Sequence, residues 1–472
     1  MLQSMARSLE KRLDEAREIV NSFNDIPIRI ITHNDADGIS SGAIVHLALE
    51  REGFKVHTRC VKQLEEKIIV ELADEKPEII IFSDLGSGQL ENIEKYLKET
   101  EIIIIDHHEP QDADFSGFQL NAHEHGIDGA SEISGSGMAY LFARSLREEN
   151  KDLAALAIVG AVGDLQDTNG KLLGVNRLIA GEGVKDGILR IEKDLRIYGR
   201  QTRPLYKALE YTTDPIIPGV SGSESSSIVF LKELEIPIKK GEDFTMLADL
   251  NDNEKKLMAN ALVLKMVENN VPIKIAESII GEVITLLKEE KRTPLRDARE
   301  FATLLNSCGK NEKYGIGLAV AMGEREDIYT SSLDMLTQHR EYIGYCYSWI
   351  SENMDKIIDS DNIYTIMAGK EINENVIGTI AGMVLNSRIL AEVKPVIALA
   401  DTDEDEIKVS SRANRELVER GINLGKAMHY ASEKVGGEGG GHDIAAGAKI
   451  KKGREKEFLE YVEEMIADQL GG

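Results

Sequence analysis

Three β-branched runs dominate the first 108 residues: "IPIRIIT" at 26–32, "KPEIIIFSD" at 76–84 and "TEIIIIDHH" at 100–108. Segments of helical character separate them, "GISSGAIVHLALEREG" and "GQLENIEKYLKE". Short, continuously apolar strands alternating with helices predict a parallel sheet covered on both faces. In such sheets ligands bind beyond the carboxyl ends of the strands. The residues directly after each run are therefore the ones whose chemistry matters.

Those residues are acids and imidazoles. The first run ends in His33, Asp35 and Asp37, the second in Asp84, and the third in Asp106, His107 and His108. A fourth apolar segment, "ALAIVGAVGD", reads as a buried helix that delivers Asp164. Singly, an Asp at a strand end is most often a helix cap, and a lone His a surface or capped residue. His46, on the apolar face of "AIVHLAL", reads as a packed core histidine. Jointly, three successive strand ends and a helix all supply ligand types. So many carboxylates in one place repel one another unless a cation neutralises them. Mixed carboxylate and imidazole donors suit Mn2+ or Mg2+, with Mn2+ better served by histidine. Two such ions sharing a carboxylate form a clamp for attack of water at phosphorus.

Composition excludes other classes. The net charge of −26 argues against a basic nucleic-acid coat protein but not against a nucleic-acid enzyme with a local metal centre. No apolar run reaches transmembrane length, and residues 1–20 read as an amphipathic helix with Leu9, Leu13, Ile19 and Val20 on its apolar side. A cytoplasmic protein without a membrane segment is expected. Cys60, Cys308 and Cys346 form no C-x-x-C pair, so neither a structural zinc site nor a disulfide framework is expected.

The motifs H-x-D-x-D-G at 33–38, a lone Asp after a strand, D-H-H at 106–108 and a later Asp resemble those of the DHH phosphoesterase superfamily. "GGEGGGHDIAAGA" at 436–448 resembles the glycine-rich signature of the DHHA1 domain. The match in order and spacing runs over nearly the whole chain. The resemblance implies a first ion held by His33, Asp35 and Asp84, and a second by Asp37, Asp84, His107 and Asp164, with Asp84 bridging. RecJ nucleases often have Asp where this chain has His33. His108 would sit beside the water or the phosphate, and Asp106 would orient its histidine neighbours.

The implied architecture is α/β: a parallel-sheet DHH domain over 1–190, an inserted, mostly helical region over 191–345, and a smaller α/β DHHA1 domain over 346–472. The active site would lie in the cleft between DHH and DHHA1. In the latter, Gly439, Gly440 and Gly441 would let backbone N–H groups approach an anion, with His442, Ser411 and Arg412 as further substrate contacts. The same segment also reads as a flexible hairpin. The stretch "LRIYGRQTRPLYKALEY" at 195–211 interleaves cations with tyrosines; it reads either as a single-strand stacking surface or as a linker helix with solvated charges.

Within the superfamily, "GRQTRPLYKALEYTTDPIIPGVSGSES" and "RDAREFATLLNSCGK" resemble segments of the archaeal RecJ-like nucleases, the GINS-associated nuclease among them. That resemblance implies a manganese-dependent exonuclease for single-stranded DNA, working from the 5′ end, with RNA as a further substrate. Two Mn2+ ions are expected, Mg2+ being a substitute. It also implies partners, the GINS complex and the replicative helicase. Two other readings stay open: a phosphodiesterase for short oligoribonucleotides or cyclic dinucleotides, and a non-catalytic replication scaffold. A scaffold would be expected to carry damaged ligand motifs.

Overall fold

A computed structural model describes residues 2–167, 170–386, 390, 394–402 and 405–471. The chain forms two compact units. One comprises the residues up to Thr212 with Ile217–Leu336, the other Thr213–Ile216 with Thr337–Gly472.

The first unit opens with α1 (Leu2–Asn21), β1 (Ile28–His33), α2 (Ala36–Arg51), β2 (Val56–Val61), α3 (Glu66–Glu75) and β3 (Ile79–Ser83). There follow α4 (Leu90–Tyr96), β4 (Glu101–Asp106), β5 (Phe118–Asn121), α5 (Gly135–Leu146) and α6 (Ala154–Gly163). The five strands form one sheet in the order β2-β1-β3-β4-β5, every pairing parallel. Alternation along the strands divides the isoleucines between two faces. Ile28, Ile30, Ile79, Ile81, Ile103 and Ile105 pack on one side in a core shared with α2, α5 and α6. Ile31, Ile80, Phe82, Ile102 and Ile104 pack on the other against Ile69 and Leu72 of α3 and Leu90 and Ile93 of α4. Each such buried side chain stabilises the fold by about 1.5–3 kcal/mol. Continuous apolar runs are what a strand covered on both faces requires.

The sheet has two strands beyond the three apolar runs. β2, "VHTRCV", and β5, "FQLN", are its edges, and polar residues interrupt their apolar pattern. Beyond residue 190 the strands Leu189–Leu195 and Ile280–Leu286 pair antiparallel. The helix Ala298–Lys310 belongs to the first unit's core, where Phe301, Leu304, Leu305 and Cys308 join the cluster that covers the sheet.

The second unit has a six-stranded mixed sheet, in the order 357–359, 364–369, 396–401, 406–412, 445–451, 438–441. Only the 364–369 and 396–401 pair is parallel. A helix runs over Ile377–Asn386 between the 364–369 and 396–401 strands. Among the described residues, no helix is long and apolar enough to cross a membrane.

Candidate metal centre

The carboxyl ends of β1, β3 and β4 lie side by side, since β3 pairs with both β1 and β4 in parallel register. His33, Asp84 and Asp106 leave the sheet there. The turn after β1 is short because Asp35 is the N-cap of α2: its Oδ1 accepts from Gly38 N at 2.9 Å. Its Oδ2 lies 3.0 Å from His33 Nδ1. A Cβ at residue 38 would lie 2.5 Å from His33 Cβ, so this turn closes only over glycine.

Asp37 enters the first turn of α2 and is almost fully buried. Its Oδ2 accepts from Gly135 N at 2.7 Å and its Oδ1 from Ser136 N at 3.0 Å. Both donors belong to the first turn of α5, where a helix end presents unpaired N–H groups to an anion. The stretch "GSGMAY" at 135–140, whose G-x-G reads as a close-packed helix start near the site, is such a start, pressed against the acids. A Cβ on Gly135 would lie 2.2 Å from Asp84 Oδ1.

Asp84 does not cap the turn that follows it; the N–H at Ser87 is taken by Asp106 Oδ2 at 3.1 Å. Asp84 adopts a left-handed backbone (φ 61°), uncommon outside glycine. Its Oδ1 is buried and accepts no hydrogen bond. It lies 3.3 Å from His107 Nε2, while Oδ2 lies 3.9 Å from His33 Nδ1. One carboxylate therefore faces both histidines. Burial, then repulsion from Asp37 and Asp35, pushes its pKa well above the usual carboxylate range.

His107 has Nδ1 2.7 Å from the carbonyl of Gly129, which fixes the tautomer and leaves Nε2 for the acids. Asp106 is fully spent on its neighbours. Its Oδ1 accepts from His107 N at 2.8 Å, His108 N at 3.2 Å and His108 Nδ1 at 2.8 Å. Burial opposes protonation of His108, but Asp106 outweighs it and holds the imidazole at about 9. His33 is likewise held at about 9, burial being outweighed by Asp35 and then Asp84. Asp164 ends α6, and its Oδ2 accepts from Gln166 Nε2 at 2.8 Å. Burial lifts it to about 6 against the pull of His107.

Three groups offer ligand atoms within 4.8 Å of one another: His33, Asp35 and Asp84; Asp37, His107 and Asp164; and Asp84, Asp106, His107 and His108. In the third, Asp106 is already taken up by N–H donors, which leaves the first two as the donor sets. Hard oxygens with imidazole nitrogens, and an orphaned buried oxygen on the acid that faces both sets, fit divalent cations. All eight residues expected here by sequence are brought together. The sequence motifs did not single out Gly129, Ser87 and Gln166, which also hold them.

In the second unit, Gly439 and Gly441 are close-packing positions. A Cβ on Gly439 would lie 2.7 Å from both Met428 O and Ser432 Oγ, and Gly441 has φ 135° with Ala446 Cα 2.7 Å from its missing Cβ. Gly440 faces open space, and exposed His442 closes the hairpin through its backbone N–H to Ala445 O at 2.9 Å. Ser411 is fully buried, and its hydroxyl donates to Ala446 O at 3.0 Å, a sheet contact. Arg412 differs: among the described residues it has no carboxylate partner, and donates to Ser411 O at 2.8 Å. Burial draws its pKa down, the sign of a desolvated cation suited to an anion.

Most cations of the stretch 195–211 are paired with acids, most of which lie outside it. Arg196 pairs with Asp167 and Arg200 with Asp194, each at 2.7 Å with nearly buried side chains. Lys207 pairs with Glu210 and Glu224 at 2.8 and 2.6 Å. The guanidinium of Arg203 lies 5.0 and 4.9 Å over the rings of Tyr198 and Tyr211. These contacts differ from both readings: helix covers only Leu205–Glu210, and the cations are paired with acids or stacked on tyrosines rather than solvated or free for bases. His46 bonds Thr58 Oγ1 at 2.8 Å, away from the acids.

Three family profiles match the chain: the DHH family N-terminal domain at 27–161, the DHH-CID domain at 197–280 and the DHHA1 domain at 360–468. An uncharacterised protein of Methanocaldococcus jannaschii is 36% identical over 473 residues, 98% of either chain. A prophage protein of Bacillus subtilis that carries the name of a single-strand DNA-specific exonuclease is 24% identical over 286 residues, 54% of this chain and 47% of its own. RecJ from Thermus thermophilus, solved with Mn2+, shares the fold with a TM-score of 0.61 at 17% identity, over 97% of this chain and 55% of that one. The chain thus spans about half the length of these two. CDC45 from Entamoeba histolytica shares the fold with a TM-score of 0.62 at 11% identity, over 98% of both chains.

Proposed function

Because the chain belongs to the RecJ-like DHH/DHHA1 superfamily, we propose that it is a manganese-dependent exonuclease that hydrolyses phosphodiester bonds of single-stranded DNA, from the 5′ end, and of RNA. The observation that carries the proposal is the buried Asp84 carboxylate, facing both donor sets with an oxygen that accepts no hydrogen bond. His33, Asp35 and Asp84 would hold one ion, and Asp37, His107 and Asp164 the other, with Asp84 shared. Divalent ions bound there supply Lewis acidity for phosphodiester hydrolysis and charge to offset the carboxylates.

The chain's own groups do the rest. Gly129 holds His107 in the ligand tautomer, and Asp106, accepting from His108 Nδ1, favours the protonated form of His108. As an imidazolium, His108 can donate a hydrogen bond to a phosphate oxygen. Arg412, a partly buried cation without an acid partner among the described residues, would suit a phosphate of the substrate. Of the glycines expected to help it, Gly440 has the open surroundings an approaching backbone needs. We assign the protein to the cytoplasm. For partners we propose the GINS complex and the replicative helicase, on the resemblance of 199–225 and 296–310 to the archaeal RecJ-like nucleases.

The test uses single strands labelled at either end, with Mn2+, Mg2+ or EDTA. Release of the 5′ label first, only with metal, is expected. Full activity in EDTA refutes the metal reading, faster cleavage of dinucleotides than of long strands refutes the substrate, and inactivity under all conditions points to a scaffold. Arg412→Ala should raise KM for the strand about 10- to 100-fold, the worth of a charge-assisted contact, with Mn2+ binding unchanged. Co-elution with GINS subunits tests the partner.

Metal binding should also expel protons. In the metal-free protein His33 keeps its proton up to about pH 9 and Asp164 its own up to about pH 6. Ligands bind deprotonated, so Mn2+ affinity should rise with pH, about tenfold per unit for each proton displaced, and level off above about pH 9. Calorimetric titration in two buffers of different ionisation heat measures the protons released; a pH-independent affinity contradicts these ligands.

A further inference from the structure

The helix Ala298–Lys310 presents one face to both ligand-bearing turns. Arg299, Ala302, Asn306 and Gly309 follow one another at intervals of three, four and three residues, which aligns them along the helix. At one end, Arg299 Nε and Nη2 reach Asp167 Oδ2 at 3.1 and 3.0 Å, three residues beyond Asp164. In the middle, Ala302 backs Gly163, whose Cβ would lie 3.4 Å from Ala302 Cβ and 2.6 Å from Ala36 Cβ. Further on, Asn306 Oδ1 accepts from the N–H of Ala36 at 2.8 Å. Ala36 stands between Asp35 and Asp37, and its N–H is one that a helix start leaves without a partner. At the far end, a Cβ on Gly309 would lie 2.0 Å from the carbonyl oxygen of Asn34.

We infer that this helix is a ruler: Asn306 and Arg299 are positioning residues that set how far the Asp35–Asp37 turn stands from Asp164, and so the spacing of the two cation positions. The inference rests on the two-ion reading proposed above. Its logic is one of contact at both ends. The Asp35–Asp37 turn serves both positions, while the Asp164 turn serves only the second. Asn306 therefore acts on both ions and Arg299 on one. Asp167 keeps Arg196 as a second partner at 2.7 Å, so loss of Arg299 loosens the turn without freeing it.

The test measures Mn2+ binding to metal-free wild type, Asn306→Ala, Asn306→Asp and Arg299→Ala by calorimetry. Anomalous scattering from manganese in crystals resolves the two positions, and thermal unfolding in EDTA runs alongside. Asn306→Ala should weaken both ions about 10- to 100-fold, the usual effect of removing a group that orients ligands. Asn306→Asp, which keeps an acceptor for Ala36, should restore them. Arg299→Ala should weaken only the ion beside Asp164, about tenfold. Wild-type binding in every variant with only the melting temperature lowered, or equal loss at both positions from Arg299→Ala, overturns the ruler while the two-ion reading stands. Wild type that binds fewer than two ions overturns that reading and the ruler with it.

Discussion

Asp84→Asn should abolish hydrolysis and, in EDTA, make the protein more stable. The two effects share one cause. Asp84 is buried beside Asp37 and Asp35, and its Oδ1 accepts no hydrogen bond, so the metal-free fold disfavours its ionised form. An amide of the same shape removes the charge, tolerates the left-handed backbone better than most residues, and loses the anionic ligand shared by the two donor sets. Activity should fall on the order of 10³-fold or more. Stability in EDTA should rise by about 1–3 kcal/mol, the usual cost of a buried, unsatisfied polar group. The sign with pH follows from the raised pKa. Below the ordinary carboxylate range both forms are neutral and the variant gains nothing. As pH climbs through the raised folded value, wild type loses stability and the variant does not. Mn2+ should raise the melting temperature of wild type more than that of the variant, which keeps Asp37, His107 and Asp164 but loses the shared ligand. A variant less stable than wild type in EDTA at neutral pH contradicts this account of Asp84.

Gly160→Ala and Gly181→Ala should move stability in opposite directions. Both glycines lie inside helices, Ala154–Gly163 and Gly174–Lys185, where alanine is normally better by about 0.5–1 kcal/mol. At Gly181 a Cβ meets nothing within 4 Å, so the normal gain is expected. At Gly160 it would lie 2.1 Å from Ser136 Oγ and 2.4 Å from Asp37 Oδ1. Overpacking there should cost about 1–3 kcal/mol. It should also push Asp37 off the two N–H groups that hold it, and a misplacement of about an ångström can cost about 10²-fold in rate. Chemical denaturation and the end-labelled strand assay read the two effects. A stabilised, fully active Gly160→Ala protein would show that α5 and α6 do not press on the acid as described.

The acids and histidines were legible because each follows directly on an apolar run. A strand covered on both faces leaves little room for polar residues, so the first ones past its end stand out. The edge strands β2 and β5 were not legible: they trade apolar continuity for residues such as His57, Arg59 and Gln119. The cations of 195–211 misled for a related reason. A sequence shows Arg196 and Arg200 but not that Asp167 and Asp194 fold against them. Ser411, at a strand end like the ligands, turns its hydroxyl into the sheet because alternation along the strand assigns its face.

The sequence by itself determined the kinds of group at the centre and the α/β order that gathers them at one sheet edge. Hydrophobic periodicity is local and fixes which residues end each strand. The tertiary structure alone decided how those groups are held. Asp37 is fixed by N–H groups 98 and 99 residues away, and Ala36 by an asparagine 270 residues away. Such contacts form wherever packing brings an unpaired donor to an acceptor, and no spacing along the chain records them.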